Sequence, residues 1–370
     1  MYNFLIYISY SYGFPIGKPL YDEIIIRGHN VKWFIDIKDT ISKFPFDESS
    51  LILNIEDVVK YQPDIILAAT DTVPDFLQGL KVQVFHGFNA EKRSFKKDHF
   101  RIRGFFDLYC TQGPSTTEIF KKQKKKYKTF EVIETGWPKV DPLFKKDAHN
   151  VNKKNTILIS STFTKRLSLA YNPEVFEKIK MLSEKGNYHF KMIMHPKLPE
   201  EIKEKWKSIE NENFEYINDT FFVPLLKECS LMISDTTSVI QEFILLKKPV
   251  ITINHYKPKP YLINITDIEK LESSIIYGLS YPPEVINEIE KFTLLLHPYT
   301  DGKSSERVID ASINFLHQDK SHIKQKPINL IRKWKLRKKL GYFTLKSYRK
   351  PFTSKKIKIE NSCYSAKNGG

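Results

Sequence analysis

The sequence predicts an α/β protein made of two halves, each a largely parallel sheet with helices on both faces. Three observations predict it. The chain has 370 residues, more than one hydrophobic core usually organises. Short apolar runs closed by turn residues alternate with helical stretches, the pattern of sheets buried on both faces. A polar segment at 145–155 (KKDAHNVNKKN) interrupts that alternation, which then resumes.

In the first half, strand candidates lie at 4–8, 31–35, 64–68, 82–85, 106–110 and 130–134, with a helix at 18–27 and the turn Gly28-His29-Asn30 before the second strand. Each run is too short for helical periodicity and is bounded by breakers. The second half places strands at 156–160, 190–194, 214–217, 231–233 and 250–253, and helices at 174–185, 200–209, 223–229 and 239–246. A helix at 304–316 is expected to help close the second half. The organisation is then 1–150, 151–318 and a basic segment 319–370. Two Rossmann-like halves in tandem make a GT-B-like architecture, in which ligands sit at the carboxyl ends of the strands, facing the cleft.

Composition narrows the function. With 41% apolar, 13% aromatic and 28% charged residues, the chain is globular rather than disordered. Its formal net charge of +16 calls for an anionic partner: nucleic acid, lipid headgroups or a phosphate-rich substrate. No recognised DNA- or RNA-binding motif is present, and the densest basic run lies in the tail, which argues against nucleic acid. The absence of a GxxxxGK[ST] loop argues against an ATPase. Cys110, Cys229 and Cys363 lie far apart with no CxxC pair, which suits a reducing compartment. Residues 1–10 lack the basic start of a signal peptide, and no run approaches the roughly 18 apolar residues of a membrane helix. A cytoplasmic chain, neither exported nor membrane-spanning, is expected.

Beyond His322, Lys324, Lys326, Arg332, Lys333, Lys335, Arg337, Lys338, Lys339, Lys346, Arg349 and Lys350 occur with no acidic residue between them, and Ile328, Leu330, Ile331, Trp334 and Leu336 interleave with them. That is the composition of a basic amphipathic helix docking on an anionic membrane, at about 1 kcal/mol per basic residue near the surface. A solvated helix and frayed tail would read the same way. The last residues, 361–370, read as disordered.

The most informative stretch is 231–253, LMISDTTSVIQEFILLKKPVITI. It reads as strand, polar turn, helix and strand, placing Asp235, Thr236, Thr237 and Ser238 between a strand's carboxyl end and a helix's amino end. Hydroxyls and unpaired N–H groups there can hold a phosphate. Glu242, two helical turns on, can accept both hydroxyls of a ribose. Simple helix capping by Asp235 or Thr236 explains the same residue types. His86, in VFHGFNAEKR, and His195, in MIMHPKL, each end a predicted strand. Gly87 allows close backbone approach to a ligand, and Pro196 stops its strand.

These stretches resemble the CDP-glycerol glycerophosphotransferase family, which includes the teichoic-acid primases and polymerases. The turn and Glu242 are similar to its DxSSVxxE/D stretch, with Thr237 in place of serine, and Lys248 to Ile251 to its KPVI strand. A looser similarity links the turn to the DSGGIQEE stretch of UDP-N-acetylglucosamine 2-epimerases. His86-Gly87 resembles the family's HG motif and His195-Pro196 its HP motif. TGWPKVD at 135–141, with Gly136, resembles GxPRxD, with Lys139 in place of arginine. SSTFTK at 160–165 resembles APTxR, and YTDGKSSER at 299–307, ending at Arg307, resembles DGxxxxR. The similarity covers about 80–315, in family order.

The resemblance implies a transferase that moves glycerol phosphate, or a related polyol phosphate, from a CDP-activated donor to a hydroxyl of a lipid-linked saccharide or growing cell-surface polymer. It implies that His86 is a catalytic base and that His195 contacts the donor phosphate. Thr162, Thr164, Lys165, Asp235, Thr236, Thr237 and Ser238 would hold the donor, Glu242 its ribose, with Gly87, Gly136 and Arg307 in support. A histidine pKa near 6.5 suits a base, and phosphoryl transfer depends on positioning and electrostatics. No cofactor is required and no carboxylate cluster demands a metal, although phosphate-bound Mg²⁺ stays open. A glycosyltransferase using a nucleotide sugar is the alternative, since the same cleft would hold its diphosphate. The place of work would be the inner face of the cell membrane.

Overall fold

The computed structural model describes residues 1–88, 100–145, 155–219 and 221–342. Two parallel sheets carry the fold. The first contains β1 (Asn3–Ile8), β2 (Asn30–Ile35), β3 (Leu51–Ile52), β4 (Ile65–Ala68), β5 (Leu80–Gln83), β6 (Leu108–Thr111) and β7 (Glu131–Glu134), in the order β3-β2-β1-β4-β5-β6-β7. The second contains β8 (Thr156–Ser161), β9 (His189–Met194), β10 (Phe214–Ile217), β11 (Leu231–Ser234), β12 (Val250–Ile253) and β13 (Ile263–Ile265), in the order β10-β9-β8-β11-β12-β13. Every pairing named between these strands is parallel. The predicted α/β class with two Rossmann-like sheets is therefore the observed one.

Both orders reverse once, between β1 and β4 and between β8 and β11. The crevice beyond the strands at such a reversal is where open α/β sheets bind ligands. The central strands are apolar because helices cover both faces: β4 (IILA) and β11 (LMIS) are buried at every position. On β2, Trp33 packs so tightly under helix Phe14–Ile26 that a Cβ on Gly17 would lie 2.4 Å from its ring.

The return of the chain differs from expectation. The helix Ser304–His317, expected to close the second half, packs on the first: Val308, Ile309 and Phe315 are buried in one core with Phe4, Ile65 and Cys110. Tyr2 Oη lies 2.7 Å from His317 Nε2, and Arg27 pairs with Asp310. The apolar face of this helix carries no information about which sheet it meets. Its amino end is fixed from the first half by Asp141, whose carboxylate accepts from the N–H groups of Ser304 (2.9 Å) and Ser305 (2.8 Å) and from Ser305 Oγ.

The basic segment also returns. Helix Leu330–Leu340 buries Leu336 and Arg337 against the first half, with Arg337 Nη2 2.8 Å from Asp75 and its guanidinium 4.7 Å from the Phe76 ring centroid. Lys339 reaches Asp36 at 2.7 Å. Lys346, Arg349, Lys350, Cys363, the final stretch 361–370 and most of the polar segment between the halves lie outside the described residues. Cys110 and Cys229 are buried, which pushes both thiols up. No helix among the described residues is long and apolar enough to cross a membrane.

Candidate active site

The first wall is built at the β1/β4 reversal. Strand β5 stops at Gln83, earlier than the sequence pattern predicts, and the chain leaves the sheet through Phe85 at φ 58°. A bulky residue in that left-handed region costs about 1–3 kcal/mol and is held there by its surroundings. Phe85 is buried, and its carbonyl accepts from Trp137 Nε1 at 3.4 Å. The turn presents His86 to solvent, its Nδ1 3.9 Å from Asp71 Oδ1. Asp71 follows β4 and also pairs with Arg103 Nη2 at 2.9 Å. Sequence reading missed Asp71; its position just past a strand at the reversal was the available signal. A Cβ added to Gly87 would meet no atom of the described residues within 4 Å.

The second wall forms at the β8/β11 reversal. Here Asp235 is fully engaged within the protein. Its carboxylate accepts from Ser161 Oγ (2.7 Å) and from the N–H groups of Thr162 (3.1 Å), Leu169 (3.0 Å) and Thr236 (2.5 Å). It ties the loop after β8 to the turn after β11, a positioning task rather than a free contact. Thr162 and Thr237 are buried, Ser238 is half-buried, and Thr164 and Lys165 are exposed. The helix that follows, Val239–Ile244, is shorter than expected, so local N–H groups and hydroxyls matter more than a macrodipole. Thr236 Oγ1 is buried without a partner. His195, past β9, accepts from Lys197 N–H at Nδ1 (3.1 Å), which in the neutral ring puts the proton on Nε2.

A continuous run of side chains joins the walls. The His86 ring lies 5.8 Å from Tyr12, Tyr12 stacks on Tyr10 at 5.4 Å, and Lys197 Nζ sits 5.7 Å from the Tyr10 centroid and 5.5 Å from that of Phe163. Phe163 in turn lies 4.4 Å from His195. A chain of side-chain contacts thus runs from His86 of the first half to His195 of the second. Burial, together with Tyr10, Asp71 and Asp36, pushes the Tyr12 phenol up, so it stays a neutral hydroxyl.

Behind the cleft, 134–141 forms a junction between the halves. Glu134 accepts from Tyr299 Oη at 3.0 Å, Trp137 N–H donates to His297 Nε2 at 3.0 Å, and Lys139 pairs with Glu242 at 2.7 Å. Gly136 has φ 80°, and a Cβ there would lie 2.5 Å from Ser304 Oγ. Arg307 stacks on Tyr299 at 4.2 Å and pairs with Asp301, a packing role within this junction. Glu242 is buried with one oxygen on Lys139 and Oε2 without a partner. Burial lowers the His297 pKa to about 4. Among the described residues no group of three or more His, Cys, Asp or Glu is assembled to hold a metal ion.

Known proteins share this plan. The Teichoic acid glycerol-phosphate primase of Bacillus subtilis (strain 168) is 24% identical over 238 residues, covering 58% of this chain and 60% of that protein. The Teichoic acid ribitol-phosphate polymerase TarL of Staphylococcus aureus is 25% identical over 272 residues, covering 62% of this chain but 46% of its own length. The chain thus spans only part of these relatives. Among solved structures, the Wall Teichoic Acid Polymerase TagF superposes with a TM-score of 0.63 at 15% identity, over 85% of this chain and 88% of that one. A putative UDP-N-acetylglucosamine 2-epimerase from Listeria monocytogenes gives 0.60 at 17% identity, over 86% and 98%. These likenesses show the two-sheet fold. The family described as CDP-Glycerol:Poly(glycerophosphate) glycerophosphotransferase matches residues 79–313, from just before β5 to the helix that returns to the first half, and the chain belongs to that family.

Proposed function

We propose that the protein transfers glycerol phosphate from CDP-glycerol, or a related polyol phosphate from its CDP donor, to an acceptor hydroxyl on a lipid-linked saccharide or a growing cell-surface polymer. The observation that carries this reading is the run of side-chain contacts that links His86 of the first half to His195 of the second. The acceptor hydroxyl attacks the phosphorus that bears glycerol, His86 takes its proton, and CMP leaves. Asp71 acts as a positioning residue for the His86 ring. His195, through Nε2–H, and the hydroxyls of Thr162, Thr164, Thr237 and Ser238 meet the charge that spreads over the transferring phosphoryl and CMP. Lys165 adds a cation, and the unpartnered Oε2 of Glu242 accepts a ribose hydroxyl. Asp235 holds these loops in place.

The chain would work at an anionic membrane surface on the cytoplasmic side, where a lipid-linked acceptor lies. Ile331 and Trp334 are 72% and 49% exposed on a helix whose other side is fixed by Leu336 and Arg337. The test of the reaction is CMP release from CDP-glycerol in the presence of a lipid-linked acceptor. His86→Ala is expected to fold and bind donor normally while losing transfer by about a hundredfold or more. Full activity in that variant removes His86 from the chemistry.

A further inference from the structure

Helix Pro114–Tyr127 ends in a basic run that the candidate active site does not use: Lys121, Lys122, Lys124, Lys125, Lys126 and Lys128, with no acid between Glu118 and Glu131. The helix buries Thr116, Thr117 and Phe120, and leaves Lys121, Lys122, Lys125 and Lys126 exposed. Two of the six lysines pair with acids, Lys121 with Glu118 and Lys124 with Glu131. Like charges three and four residues apart on a helix destabilise it. The negative carboxyl end of the helix offsets this only within its last turn, which leaves Lys121 and Lys122 for an anion outside the protein.

This lysine face and the helix Leu330–Leu340 belong to one layer. Phe120 from the first helix and Leu336 from the second are buried in one core cluster with Tyr7, Ile66 and Tyr109 of the first sheet. Both helices therefore cover the same face of that sheet and turn their outer sides to the same solvent. The chain that leads into the second helix is tied down beside the first. Lys324 N–H donates to the Lys128 carbonyl (2.7 Å), Lys326 Nζ to the Phe105 carbonyl (2.8 Å) and Asn329 Nδ2 to the Arg103 carbonyl (2.7 Å). On this layer Ile328 and Leu330 are 71% and 62% exposed, ahead of Ile331 and Trp334. Lys335 and Lys338 are exposed among them. Apolar side chains standing out between lysines fit a lipid surface, which takes up both, better than a soluble polyanion, which offers the apolar ones nothing to enter.

We propose that the lysine face of helix Pro114–Tyr127 docks on anionic lipid headgroups, as the electrostatic half of a two-part membrane contact whose apolar half is Ile331 and Trp334. The inference rests on the membrane reading above and deepens it by naming a second surface, on a different helix. Both halves are needed, because stable attachment to a bilayer takes two signals where one gives only marginal binding. The first half of the protein then meets the bilayer with the helix layer that holds Phe120 and Leu336. The carboxyl end of Leu330–Leu340 leads from that surface towards the site, where Lys339 pairs with Asp36 just past β2.

The test uses the full chain and vesicles of phosphatidylglycerol mixed with phosphatidylcholine. The variant Lys121→Ala/Lys122→Ala/Lys125→Ala/Lys126→Ala removes four exposed charges and keeps strong helix formers. The lipid concentration for half-maximal sedimentation is expected to rise at least about tenfold and to vary less with salt, at unchanged thermal stability. A control, Lys180→Ala/Lys247→Ala/Lys270→Ala/Lys291→Ala, removes the same charge from the second half and should sediment like the wild type. Equal loss in both variants, or no loss in the first, overturns the proposal. Binding to a soluble glycerol phosphate polymer as tight as to vesicles, and lost in the first variant, also overturns it by assigning the face to a polyanion. A wild type that stays in the supernatant sinks the membrane reading as a whole. A lysine variant that sediments normally, while Ile331→Glu/Trp334→Glu does not, sinks this proposal alone.

Discussion

Lys139 Nζ lies 2.7 Å from Glu242 Oε1, joining the junction of the first half to the helix behind the hydroxyl-rich turn of the second. Their side chains are 10% and 4% exposed, and Lys139 also faces the Phe222 ring at 4.9 Å. A pair this buried is costly to break from one side, because the survivor keeps an uncompensated charge. Lys139→Met is expected to destabilise the protein by about 3–5 kcal/mol in urea unfolding. Lys139→Met combined with Glu242→Leu should recover much of that loss, since two apolar groups replace two charges. A double variant no more stable than Lys139→Met would show that the pair does not join the halves.

The resemblance to the family placed both residues in motifs, but paired neither with the other. Periodicity showed most strands, because apolar runs fully buried in a parallel sheet are bounded by breakers. It missed Leu51–Ile52 and Ile263–Ile265, two short strands with too few residues to show a pattern. It missed helix Pro114–Tyr127 for another reason: Thr116, Thr117 and Phe120 are its buried residues, and a run of lysines masks them. Those lysines suit the negative carboxyl end of a helix. The placement of His86, His195 and the turn after β11 just past strand ends was legible where residue type and chain position coincide. The engagement of Asp235 by Ser161, Thr162 and Leu169 was not, because those partners come from a strand and loop far along the chain. The capping of the helix Ser304–His317 by Asp141 is hidden for the same reason.

The helix Leu330–Leu340 gives a membrane prediction that separates its two faces. Its inner face is already committed to Asp75 and the Phe76 ring, while Ile331 and Trp334 stay outside among lysines. Apolar insertion and attraction of basic side chains to anionic headgroups act together on such a helix. The protein is expected to sediment with phosphatidylglycerol vesicles and not with phosphatidylcholine vesicles. Ile331→Glu/Trp334→Glu should release it at unchanged thermal stability. Equal sedimentation of that variant would place the membrane contact elsewhere.

The junction also makes a prediction about pH. His297 is buried, and its Nε2 accepts from the Trp137 N–H, so the folded protein holds a neutral ring. Burial lowers its pKa to about 4, against an ordinary value of 6.5. Below pH 6.5 the unfolded chain therefore binds a proton that the folded chain refuses. Stability contributed by this group is present above that pH and drains away as the pH falls towards 4, where the folded ring also protonates. The full difference amounts to about 3 kcal/mol. His297→Gln keeps an acceptor for the Trp137 N–H without a titrating ring. Urea unfolding between pH 7 and about pH 4 should show a shallower decline for that variant than for the wild type. Parallel declines would mean that other groups, and not His297, make the junction sensitive to acid.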